Sequence, residues 1–170
     1  MPTFDASTAS CRIFTDKEGL LSRIAHDLEL EVTNFSVVAE DARVEGTFNP
    51  RSVKVLRALR NGRPSAALSD GDKRDIEGIV ARDVLVSSAK IRFVSTAVQR
   101  GPTGAHLAGT LTLNERTRSL EFDVRLEDDR FVAEVVLHQP DYGIRPYSAM
   151  MGSLKVKPDI RVRVSIPRWD

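Results

Sequence analysis

The strongest constraint on this chain is a strict alternation of apolar and polar side chains that recurs along most of its length. Leu28, Leu30 and Val32 interleave with Asp27, Glu29, Glu31 and Thr33. A period of two sends successive side chains to opposite faces of a β-strand, so one face is dry and the other wet. The pattern returns with Ala42, Val44, Gly46 and Phe48 against Arg43, Glu45 and Thr47, and Phe35 and Val37 form a short strand between the two. It returns again with Ile91 and Phe93 around Arg92, with Leu107, Gly109, Leu111 and Leu113, and with Leu120, Phe122, Val124 and Leu126. Phe131, Ala133, Val135 and Leu137 follow, and Ile160, Val162, Val164 and Ile166 close the chain. With a short strand near Cys11 to Phe14, this predicts about eight strands.

The connections point to antiparallel pairing. Asp128-Asp129 is a two-residue hairpin spacing, Arg100-Gly101-Pro102-Thr103-Gly104 is turn chemistry, and Asn34 is the expected turn between the first two alternating segments. Parallel strands, buried on both faces, would read as unbroken apolar runs. Three segments carry helical signals. Thr15-Asp16-Lys17-Glu18 spells a capping box ahead of Leu20, Leu21 and Ile24. Asn49-Pro50 offers a cap and first-turn proline ahead of Val53, Leu56 and Leu59, with Gly62 as a stop. Ser69-Asp70-Gly71-Asp72 precedes Ile76, Ile79 and Val80 at helical spacing. The expected helices cluster between the fourth and fifth strands. No repeat or composition shift divides residues 1–170, so one domain is expected.

Composition narrows the functional classes. Twenty-five basic and 24 acidic residues leave a net charge of +1, which removes the basic footprint expected of a nucleic-acid binder. One cysteine, Cys11, excludes an internal disulfide and a multi-thiolate metal site. No window reaches the roughly 20 apolar residues of a membrane-spanning helix. Met1-Pro2-Thr3-Phe4-Asp5-Ala6-Ser7 has neither the basic stretch nor the apolar run of a secretory leader, so the expected location is cytoplasmic. His26, His106 and His138 lie on separate segments without paired ligand spacing, so no metal is expected, and no cofactor motif is present.

Eight strands wet on one face must bury their dry faces against a second sheet or close into a barrel. Residues in the second half resemble a known family at this point. Lys73-Arg74-Asp75 leads to Ala89-Lys90-Ile91-Arg92-Phe93-Val94-Ser95-Thr96, and Gly109-Thr110-Leu111-Thr112-Leu113-Asn114-Glu115-Arg116-Thr117 is similar to a strand and turn read as G-x-L-T-hydrophobic-x-G-x-T. Asp141-Tyr142-Gly143-Ile144 resembles an aromatic-glycine turn before the last strand. Together these resemble the YceI-like proteins from about Cys11 to Pro167. The resemblance implies an all-β fold, a single antiparallel eight-stranded lipocalin-like barrel with short helical insertions. It implies an interior that holds a polyisoprenoid chain such as a quinone tail, and no enzyme activity. Many relatives carry a leader that is not seen here, and segment 20–27 matches only loosely. Glu115 stands where the family pattern has glycine, which speaks against an obligatory positive φ there.

The expected function is therefore binding of an elongated apolar lipid. The expected contacts are Phe48, Phe93, Leu111, Phe122 and Phe131 on the dry faces, with Leu28, Leu30 and Leu137 beside them. Tyr142, Tyr147 and Met150 join them from the loop 139–152, which is placed to gate a barrel mouth or to form a kinked, bulged strand that closes it. Two other readings stay open. A solid barrel would make the loop a docking surface for a partner or for a homodimer. An enzyme would use His138, Asp141 and Tyr142 as acid and base groups.

Overall fold

In a computed structural model of the chain the structure describes residues 2–19, 26–152 and 154–170, and the side chains of Met150 and Leu154 lie outside the described part. The alternating segments become strands: β1 (Thr3–Asp5), β2 (Ser10–Thr15), β3 (Lys17–Glu18), β4 (Asp27–Val32), β5 (Phe35–Ala39), β6 (Val44–Phe48), β7 (Val53–Arg60) and β8 (Arg63–Ser65). Helix α1 (Asp70–Ile79) comes next, then β9 (Ile91–Gly101), β10 (Gly104–Leu113), β11 (Arg116–Glu127) and β12 (Arg130–His138). The last are β13 (Ser148–Ala149), β14 (Leu154–Val156) and β15 (Asp159–Pro167). Twelve of them form one curled antiparallel sheet in the order β1-β5-β6-β9-β10-β11-β12-β15-β2-β4-β7-β8, and β13-β14-β3 form a small second sheet.

The main sheet holds twelve strands where about eight were expected, because residues 53–60 form β7 in place of a helix and the short strands β1 and β8 join the sheet. Segments 27–39 and 44–60 each bend in the middle. Thr33 N donates to Ser52 O at 3.0 Å and Asn49 N to Asn34 O at 3.0 Å, and Asn34 N bonds Ser52 Oγ at 3.0 Å. This corner separates β4 from β5 and β6 from β7. Asn34 is accordingly a bend and not a hairpin turn, because β4 pairs with β2 and β7 while β5 pairs with β1 and β6. The short strands β1 and β8 add themselves to the two sheet ends.

The helical expectations divide. Ser69 caps α1 with a reciprocal capping box to Asp72, as its spacing predicts, and the helix follows β8. A wider π turn, Val80–Val84, carries it on. Residues 53–60, expected as helix, are strand β7. The cause is a β-bulge: Leu30 faces Val55 and Glu29 faces Arg57, so Leu56 has no partner. The extra residue shifts the alternation by one, and Val53, Leu56 and Leu59 then mimic a helical spacing. The expected helix after Thr15 is also replaced at its start, since Lys17 and Glu18 pair with Val156 and Lys155. The rest of that expectation, at Leu20, Leu21 and Ile24, lies outside the described residues.

Helix α1 packs along β7. Strand β8 ends opposite Ala58, so the Val55 N–H beyond it has no strand partner, and Glu77 Oε2 accepts it at 3.0 Å. The Arg51 guanidinium donates to Ala81 O at 2.7 Å and Val86 O at 2.9 Å, placing a cation on the last carbonyls of the helical segment. The helix thereby brings Val84 and Leu85 to the sheet's concave face.

Candidate functional site

The apolar rows of the curled sheet face one another and do not fill the space between them. A cavity of about 280 Å³ remains, walled by inward residues of β2, β9 to β12 and β15, by the bent segments 27–39 and 44–60, and by Val84 and Leu85. The core accordingly divides into two clusters, one around Cys11, Leu30, Phe35 and Val53, the other around Phe93, Leu111, Leu137 and Ile144. Among the described residues the wholly buried side chains are the alanines Ala39 and Ala58, and no large side chain is fully shut away. Close-packed cores bury their large residues completely, so this interior is hollow.

Five of the expected contacts come together here. Phe48, Phe93, Leu111, Phe122 and Phe131 all line the cavity, with Leu30 and Leu137. Phe93 and Phe122 pack tilted with ring centroids 5.2 Å apart. Gly109 makes room for them: a Cβ there would lie 2.3 Å from Val94 O and 2.7 Å from the Phe93 ring. The other three expected contacts are placed differently. Tyr142 is buried in the second cluster outside the cavity lining, and its carbonyl accepts Asn114 Nδ2 at 3.0 Å. Tyr147 is half-buried, its carbonyl accepts Val156 N at 3.0 Å, and it does not line the cavity. The Met150 side chain lies outside the described residues. The loop closes the cavity with Gln139 and Ile144 instead, because the turn Gln139–Tyr142 and the left-handed Gly143 (φ 65°) tuck Ile144 inward.

The opposite end carries residues that alternation does not reveal. Trp169 stands edge-on to Phe131 at 4.8 Å and tilts against Phe4 at 5.8 Å. The Arg100 guanidinium lies 5.4 Å above the Trp169 ring and is ion-paired with Asp41. Arg100 and Trp169 border both the main cavity and an adjoining space of about 220 Å³ that also touches Arg168. An isolated tryptophan beyond the last alternating strand was the available signal for this end.

The wall is not continuous. Backbone pairing between β11 and β12 runs from Glu127–Arg130 only to Val124–Ala133, although both strands continue. Leu120 and Phe122, inward on β11, are only half-buried, whereas Leu107, Leu111 and Leu113, inward on the neighbouring β10, are buried.

Among the described residues, His138 and Asp141 are held in separate pairs. Burial pushes the Cys11 thiol up to about 12, so it stays protonated near neutral pH and has no nucleophilic character. His138 Nδ1 bonds Asp159 Oδ1 at 2.6 Å, Asp141 pairs with Arg118 at 3.7 Å, and Tyr142 is held above its usual value by burial and then by the Asp141 charge. His138 and Asp141 are thus each engaged by a different neighbour. His106, half-buried on β10, is raised chiefly by its hydrogen bond to Asp123 at 2.7 Å. Among the described residues no three His, Cys, Asp or Glu side chains converge on a point, and no helix is long and apolar enough to cross a membrane.

Comparison with known proteins agrees with this architecture. The crystal structure of Burkholderia cenocepacia BcnA is similar with a TM-score of 0.68 at 13% identity, over 95% of this chain and 97% of that one. A Campylobacter jejuni YceI protein is similar with a TM-score of 0.53 at 13% identity, over 83% of this chain and 85% of that one. Identities this low speak for the fold. No curated protein matches the sequence. A model of the YceI-like domain matches residues 27–167, most of the curled sheet and both core clusters, and the chain therefore belongs to the YceI-like family.

Proposed function

We propose that this chain binds an elongated apolar lipid, of the isoprenoid or quinone-tail kind, in the cavity of its curled sheet. The YceI-like fold is a barrel known for binding apolar ligands. The observation that carries the reading is the hollow itself: about 280 Å³ walled almost wholly by hydrocarbon, with Phe48, Phe93, Leu111, Phe122 and Phe131 as the contacts. With segments 27–39 and 44–60 each taken as one bent strand, the ladder passes from β2 around to β15 and back to β2, which supports an eight-stranded lipocalin-like barrel.

Binding needs no catalytic group. Removing apolar surface from water yields roughly 25 cal/mol per Å², so a chain burying about 300 Å² gains about 7 kcal/mol before ordering costs. An apolar cavity of about 150 Å³ takes up benzene, so this one holds on the order of eleven carbon atoms, or about two isoprene units. A longer chain extends through the unpaired stretch between β11 and β12, past Leu120 and Phe122.

The test is to purify the protein without detergent, extract it with organic solvent, and analyse the extract by mass spectrometry. A stoichiometric isoprenoid or quinone supports the carrier reading and names the cargo. An empty extract from protein that also takes up no added lipid would sink it, leaving the partner-docking or homodimer reading in its place.

A further inference from the structure

One polar side chain in the apolar wall has an atom with no partner among the described residues. Gln139 begins the turn that closes the cavity at the far end of β12 from Trp169, is 5% exposed, and lines the cavity. Its backbone is satisfied, with N donating to Pro158 O at 2.9 Å and O accepting from Ile144 N at 3.1 Å. Its Nε2 donates to Lys157 O at 3.1 Å. A carbonyl oxygen only accepts, so this bond decides which end of the amide is which and turns Oε1 away from Lys157. Among the described residues nothing donates to Oε1, and the atom is not one of those sealed away without a partner. Buried amide oxygens are normally satisfied, and the side chain that carries this one belongs to a residue lining the cavity.

We propose that Gln139 Oε1 is the polar anchor of the cavity and accepts a hydrogen bond from a hydroxyl or amide N–H at the end of an apolar chain. The proposal rests on reading the cavity as a lipid site and narrows its ligand to a donor-ended lipid. A head that offers only carbonyl oxygens cannot make this bond. Thr15, the last residue of β2, brings a hydroxyl to the same end, whereas Glu40 and Arg100 line the opposite end beside Trp169. The anchor is preorganised by the Lys157 carbonyl, so the ligand hydrogen bond needs no rearrangement of the side chain.

Undecan-2-ol and undecan-2-one test it, because they share a carbon skeleton of the size the cavity holds and differ in the donor. Each is titrated against the neutral apolar dye N-phenyl-1-naphthylamine bound to delipidated protein. The alcohol is expected to displace the dye about tenfold more tightly than the ketone. In Gln139→Leu the preference for the alcohol over the ketone disappears. Equal displacement by both compounds in the unaltered protein overturns the anchor and leaves the lipid-binding reading standing. Failure of the dye and both compounds to bind at all overturns that underlying reading as well. The alcohol-to-ketone ratio of the unaltered protein needs no variant, so the test survives a Gln139→Leu chain that does not fold.

Discussion

Gly109 shows how much a single side chain decides in this wall. Its Cα sits where a Cβ would meet Val94 O and the Phe93 ring, beside the bulge that leaves Thr96 unpaired on β9. Gly109→Ala is therefore expected to cost about 1–3 kcal/mol and to push Phe93 into the cavity. Chemical denaturation measures the first effect, and weaker apolar-dye uptake by protein that is still folded measures the second. Glu115 corrects the sequence reading at the same scale: it occupies a positive φ of 62°, next to Asn114 at 52°, in the two-residue turn between β10 and β11. The Ser87 hydroxyl donates to its carboxylate at 3.0 Å. Glu115→Gly should relieve the left-handed conformation and raise stability by about 0.5 kcal/mol, a small upward shift of the denaturation midpoint. His106 makes the clearest pH prediction. Its folded pKa lies above the ordinary 6.5, so the stabilisation from Asp123 is fully present below that value and is lost as pH rises through the raised one. In a proton NMR titration Asp123→Asn should bring the His106 midpoint down towards 6.5.

At the scale of elements, the period-two signal is legible wherever a strand keeps its phase. The turns at Asp128-Asp129 and Pro102-Thr103 could be read directly because the flanking alternation fixes their register. Phase is lost at the Leu56 bulge, and there a strand looks like a helix from its sequence alone. Lys17-Glu18 fails for another reason. A capping box is a local signal, and these residues are claimed by a strand from the far end of the chain, Leu154–Val156. Helix α1 kept its expected cap because no strand competes for it. Ser69→Ala should cost about 1 kcal/mol by unfolding titration while Ser69→Asp, which preserves an acceptor for Asp72 N, should cost much less. The unpaired stretch of β11 and β12 belongs to this scale too. Leu120→Trp, which crowds it from the inside, is expected to slow dye uptake several-fold in stopped-flow fluorescence while changing final occupancy less.

For the whole molecule, the consequence of a hollow core is a stability that depends on occupancy. A ligand that binds only the folded state contributes about 2.7 kcal/mol when present at a hundred times its dissociation constant. On the proposed lipid-binding reading, protein stripped of lipid is expected to melt several degrees lower than protein loaded with an apolar ligand, and calorimetry on matched samples checks it. Chain order alone determined the dry and wet rows, the antiparallel connections, the capped helix at Ser69, and five aromatic and aliphatic residues that reach the cavity, since each follows from local periodicity. Tertiary structure decided the rest. It set the corner at Thr33-Asn34 and Asn49–Ser52, the bulge at Leu56, the turning of Tyr142 away from the cavity and Gln139 into it, and the seat of Trp169 on Phe131. A tunnel wall and a solid core demand the same apolar residues at the same spacing. Only the curvature that holds opposite walls apart makes the difference between them.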